Sequence, residues 1–71
     1  MSERTFDIAL YEDESGMWVA ECMDVPGCVS QGSTEAEAIE NIREALAGCL
    51  EARRDNGMPE TVVRRHIRIS A

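Results

Sequence analysis

Aromatic residues are almost missing from the sequence: Phe6, Tyr11 and Trp18 are the only three. A core must therefore be built from Ile, Val, Leu, Ala and Met. A chain of 71 residues makes one domain and buries only about 60% of the surface that its unfolded form exposes. A core so small and so poor in aromatics points to association with a second copy. Lysine is absent altogether, an absence with no functional consequence that we can name. Histidine occurs once, as His66, with no second histidine and no evident carboxylate partner, which argues against acid–base chemistry and for an exposed strand residue. The cysteines, Cys22, Cys28 and Cys49, are odd in number and form no CxxC pair, so free cytosolic thiols are expected. A structural zinc site needs about four ligands, and adding His66 reaches that count only with no recognised spacing. No metal and no cofactor is expected. Cys28, beside a turn and without an activating neighbour, reads as a packing residue. No apolar run approaches about 18 residues, and the N-terminal MSERTFD has no apolar signal region. The expected location is the cytoplasm. Repeats, linkers and low-complexity stretches are lacking too, so residues 1–71 read as a single domain.

Charge is abundant and unevenly placed. The net charge is −7, but residues 1–51 hold twelve acids against two arginines, a net −10, while residues 52–71 hold two acids against five arginines, a net +3. An acidic body repels nucleic acid and suits a basic protein partner, although acidity alone also serves solubility.

From Thr5 the pattern alternates, with Phe6, Ile8 and Leu10 on one side and Asp7, Ala9 and Tyr11 on the other: a half-buried strand. Glu12 to Gly16 is a polar hairpin loop ending in Gly. Met17 to Cys22 alternates again and predicts an antiparallel partner. Pro26-Gly27 is a turn pair and Gly32 a second breaker, leaving room for a third short strand at Cys28–Gln31. Thr34 precedes Glu37 by the three residues of a capping box, and a helix follows over about Thr34–Asp55. Its apolar face carries Ala38, Ile42, Ala45 and Cys49. Arg53 and Arg54 suit its C-terminal dipole, and Asn56-Gly57 with Pro59 stops it. Val62 to Ser70 alternates once more, which predicts a fourth strand, although Arg65 interrupts its apolar side. The order is βββαβ in an α+β fold: a three-stranded antiparallel meander, one long helix, and a C-terminal strand parallel to the first, joined by a right-handed connection. One helix covers one face of such a sheet. The other face carries Tyr11, Met17 and Val19, is too apolar for water, and is the expected oligomer interface.

Three constellations are candidates for function. Glu37, Glu40, Glu44, Glu51 and Asp55 follow helical spacing along one side, interrupted only by Gly48. Such a stripe is ordinarily a solvated face; the sharper reading is a docking surface for a basic protein. Gly48 favours docking, because a mid-helix glycine costs about 1 kcal/mol relative to Ala and permits close approach. Asp7, Glu21 and Asp24 invite the alternative of a metal-dependent nuclease, since two-metal phosphate cleavage needs acids converging from several strands. Arg64, Arg65 and Arg68 on the last segment invite a third, a nucleic-acid-binding module. No catalytic residue is assigned on the preferred reading.

The stretch DVPGCVSQGSTEAEAIENIREAL, preceded by a hairpin of the EDESGMWVAEC type, resembles the HicB-like antitoxin family. The family pattern is an acidic-Leu-Pro-Gly turn, a strand ending in Gly, a Thr, and an acid-rich helix. Asp24, Pro26, Gly27, Gly32, Thr34, Glu37 and Ala38 occupy those positions, with Val25 where Leu is common and Met23 where Pro often precedes the acid. The resemblance implies a partial RNase H-like fold, matching the βββαβ order. It also implies a non-enzymatic role, the antitoxin of a type II toxin–antitoxin pair that neutralises a small basic HicA-type mRNA-cleaving toxin. The partner-binding residues expected are Glu37, Glu40, Glu44, Gly48 and Glu51, in a homo-oligomer, a dimer or tetramer. Many members carry a further C-terminal helix-turn-helix or ribbon-helix-helix domain, and this sequence ends at Ala71, which leaves DNA binding doubtful.

Overall fold

The computed structural model describes residues 3–70. Three strands, β1 (Ile8–Glu12), β2 (Trp18–Cys22) and β3 (Val29–Gly32), form an antiparallel sheet in the order β1-β2-β3, followed by one helix, α1 (Glu35–Asp55). The first two pair with Ile8 opposite Cys22 and Leu10 opposite Ala20; β2 and β3 pair with Trp18 opposite Gly32 and Ala20 opposite Ser30. Period-two alternation then puts Ile8, Leu10, Trp18, Ala20 and Cys22 on the helix side.

Local chemistry fixes each connection. Asp13 closes the first hairpin: its carboxylate accepts from Ser15 N at 2.9 Å, Ser15 Oγ at 2.6 Å and Met17 N at 3.0 Å. The Ser15 hydroxyl is the main reason that the Asp13 carboxyl is held below its usual range. Val25 to Cys28 is a type II turn, with Cys28 N donating to Val25 O at 3.1 Å and Gly27 at φ 86° in the position that demands a positive value. At the start of α1, Thr34 Oγ1 accepts from Glu37 N at 3.1 Å, and Glu37 reaches back to Ser33 N and Ser33 Oγ, both at 3.1 Å. The expected capping box is present, with its return contact one residue earlier than the ideal pattern. The helix ends in a Schellman motif: Met58 N donates to Arg53 O at 2.8 Å and Gly57 N to Arg54 O at 3.1 Å, with Gly57 at φ 70°.

The helix packs on β3 and β2. Gly32 makes this possible. A Cβ there would lie 2.6 Å from Ala38 N and 2.8 Å from Glu37 Cβ, so only glycine lets the strand end pass so near the first helical turn. The core is Ala20, Cys22, Val25, Cys28, Ala38 and Ile42. Burial fades along α1, where Ala45, Leu46, Cys49 and Leu50 are only partly covered.

The expected fourth strand is not in the sheet. Among the described residues the segment after α1 forms no strand, and Val62–Ser70 is exposed throughout. The segment is tied down only at its base. Arg53 Nε donates to Pro59 O at 2.6 Å, Arg4 pairs with Glu60 at 2.8 Å, Val62 N donates to Asp24 O at 2.9 Å, and Arg64 pairs with Asp7 and Asp24. Beyond Arg64 its alternation finds no neighbouring strand. Periodicity specifies a face to bury and cannot supply the ladder that buries it. The first strand also begins later than expected, at Ile8 instead of Thr5.

Candidate functional site

The outward side of α1 is where the sequence places its acids, and the geometry keeps them there. Glu40, Glu44, Glu51 and Asp55 are exposed, with Gly48 among them. At 1.5 Å per residue the row from Glu40 to Asp55 runs about 22 Å. A Cβ on Gly48 would meet nothing within 4 Å, so its own fold makes no use of the missing side chain. Among the described residues Glu40 alone of these acids has an ion-pair partner, Arg43 at 3.7 Å, and that pair is largely exposed. Glu37, the first residue of the row, is committed to Ser33 and therefore serves the helix cap as well as the surface. The stripe is a line of carboxylates whose charge is mostly uncompensated from within.

The sheet face away from the helix carries Tyr11 and Val29, each 51% exposed, around Val19, which is 9% exposed. Met17 is half-buried. Neighbouring strands thus already shelter the central residue of that face.

Two clusters that the sequence left ambiguous are resolved by long-range contacts. Asp7 and Asp24 do come together, with Asp7 N donating to Asp24 Oδ2 at 2.9 Å. The group that joins them is Arg64, which pairs with Asp7 Oδ2 and places Nε 3.0 Å from Asp24 Oδ1. Glu21 stands outside this pairing, and among the described residues no group of three or more His, Cys, Asp or Glu side chains could hold a metal ion. The same pairing takes Arg64 out of the proposed nucleic-acid set, while Arg65 Nη1 donates to Arg64 O at 3.0 Å and Arg68 and His66 are exposed. Sequence reading missed the Arg64 clamp because its partners, Asp7 and Asp24, lie 57 and 40 residues away along the chain. The cysteines are free: Cys22 and Cys28 are buried and Cys49 partly so. Burial and the neighbouring Cys49 push the Cys28 thiol up to about 12, which keeps it protonated and unreactive at neutral pH.

A single helix laid on a three-stranded meander, with a Pro-Gly turn and a glycine strand end feeding an acidic helix, defines an α+β domain of the βββα order. A family model described as "HicB_like antitoxin of bacterial toxin-antitoxin system" matches residues 6–68. The chain belongs to that family. UPF0150 protein ssr1258 of Synechocystis sp. is 37% identical over 51 residues, covering 72% of this chain and 74% of that protein. UPF0150 protein Ta0767 of Thermoplasma acidophilum is 36% identical over 47 residues, covering 66% and 68%. No solved structure matches. Family membership supports an antitoxin role.

Proposed function

We propose that this chain is an antitoxin of a type II pair, which neutralises a small basic HicA-type mRNA-cleaving toxin by occupying its RNA-binding surface. The observation that carries the reading is the exposed stripe of Glu40, Glu44, Glu51 and Asp55, left largely uncompensated by the chain's own cations. A row of carboxylates with a gap at Gly48 offers charge complementarity and close approach to a basic surface, and inhibition then follows from exclusion of RNA without any chemistry on the antitoxin. The role is non-enzymatic and cytoplasmic. No helix among the described residues is long and apolar enough to cross a membrane. The working form is a homo-oligomer, a dimer or tetramer, with Tyr11, Met17 and Val19 on its contact face. The partial RNase H-like fold belongs to the same proposal, with residues 62–70 as the strand that would complete it.

The test is co-expression of the tagged chain with its neighbouring reading frame. The expected result is a small basic protein retained in fixed ratio with its ribonuclease activity suppressed. The double variant Glu40→Lys/Glu44→Lys should weaken that complex by about tenfold to a hundredfold. A toxin that is active in the presence of excess chain, or a variant that inhibits as well as the parent, removes the stripe from the mechanism.

A further inference from the structure

The segment beyond Arg64 has the composition of a buried strand and the surroundings of a tail. Val63, Ile67 and Ile69 are 76%, 85% and 74% exposed, the most exposed large apolar residues described. The radius of gyration is 13.8 Å, against about 11 Å for a compact chain of this length, as expected of an arm that leaves the body. The body has a matching vacancy. Between the start of β1 and the middle of α1 lies an open groove of about 360 Å³, with Phe6, Ile8, Ile39, Ile42 and Leu46 as its apolar lining. It lies where the helix, seated over β2 and β3, leaves the β1 side of the sheet uncovered.

The strand beside this groove is also an edge. Asp7 O accepts from Met23 N and Asp13 N donates to Met17 O, so the main-chain groups at both ends of β1 address β2. The alternation of an antiparallel ladder then turns the main-chain groups of Ile8, Leu10 and Glu12 toward the open edge. An edge with an apolar groove below it accepts an added strand, main-chain bonds supplying affinity and alternate side chains filling the groove.

We propose that the arm of a second copy of this chain, residues 65–70, adds to the β1 edge, seats Ile67 and Ile69 in the groove, and receives the first copy's arm in return. Charge favours this occupant: the arm carries Arg65 and Arg68 with no acid, and the body through residue 51 is net −10. The cations at the groove, Arg4 and Arg43, already have carboxylate partners in Glu60 and Glu40, so they do not oppose it. Reciprocal exchange is isologous and closes as a two-fold dimer. It completes the sheet and covers Leu46 on α1, and it stands whether or not the helix stripe meets a toxin.

Light scattering on the purified full chain, with the variant Ile67→Asp/Ile69→Asp beside it, reads the exchange directly. The parent should be a dimer or a multiple of one, and the variant should have half its mass or less with unchanged helical circular dichroism, since both residues are exposed in the isolated fold. A monomeric parent, or a variant of the parent's mass, overturns the proposal. Isotope-filtered NOEs in a mixture of labelled and unlabelled chains then separate exchange from self-pairing. Contacts from the Ile67 and Ile69 methyls to Phe6 and Leu46 of the other copy are expected; contacts confined to one copy would make the arm its own chain's fourth strand and overturn the exchange.

Discussion

The chain enters α1 through a junction in which neighbouring groups satisfy one another and leaves along a segment that is fastened for a few residues and then released. On the entry side, Gly32, Ser33, Thr34, Glu37 and Ala38 lie within seven positions of one another, and the hydrogen bonds and close approach among them are all local. On the exit side Arg53 holds Pro59 locally, but the fastenings that follow, at Glu60, Val62 and Arg64, each close on a residue far back in the chain. Both regions carry strong sequence patterns. Only the first contains its own partners, and that difference decides which pattern becomes structure within one copy.

The largest effect that can test this contrast is at Gly32. In Gly32→Ala the new Cβ meets backbone at 2.6 Å, and the sheet or helix must shift, so a loss of about 2–3 kcal/mol in urea unfolding is expected. A loss below about 0.5 kcal/mol, the range of an ordinary surface change, would mean that the junction is looser than its geometry. Thr34→Ala removes the N-cap acceptor and should cost about 1 kcal/mol by the same measurement; Thr34→Ser should recover most of it. On the exit side, Arg64→Ala should cost less, about 0.5–1 kcal/mol, because the ion pairs are partly open to solvent. The more telling readout is hydrogen exchange at Val62, which should quicken. If Arg64→Ala proved as damaging as Gly32→Ala, the two sides would be equally determined and the contrast would fail.

The smallest effects concern pH. The Ser15 hydroxyl holds Asp13 below its usual range, and the Arg4 guanidinium does the same for Glu60. A carboxyl whose folded value is depressed stabilises the fold above its unfolded value, and that contribution is lost as pH falls through the folded one. Both contributions should therefore fade below about pH 4. An NMR titration of Arg4→Ala should return Glu60 to the ordinary range and leave Asp13 where it was.

How far the sequence was legible follows the same division. The three strands, the hairpin loop, the Pro26-Gly27 turn, the Thr34 cap and the Asn56-Gly57 stop all rest on contacts within a few residues, and the structure places each within three residues of its expected bounds. The acidic stripe was legible because helical spacing alone aligns Glu40, Glu44 and Glu51. Alternation from Val62 to Ser70 was equally clear and led to a strand that one copy does not form; Arg65 on the apolar side was the one local sign against it. Asp7, Asp24 and Arg64 were assigned to two different chemistries, because nothing in their spacing says that they meet. The tight passage at Gly32 was visible only as a breaker, and the reason for it needed the helix in place.

The clamp of Arg64 on Asp7 and Asp24 also bears on the order of events during synthesis. The ladders of the sheet join strands made one after another, and the helix that follows seats on the two strands made just before it. Arg64 reaches back 57 positions to Asp7 and can act only after the sheet and the helix have both been made. The body can therefore assemble without Arg64, and the clamp then works as a latch on a formed fold.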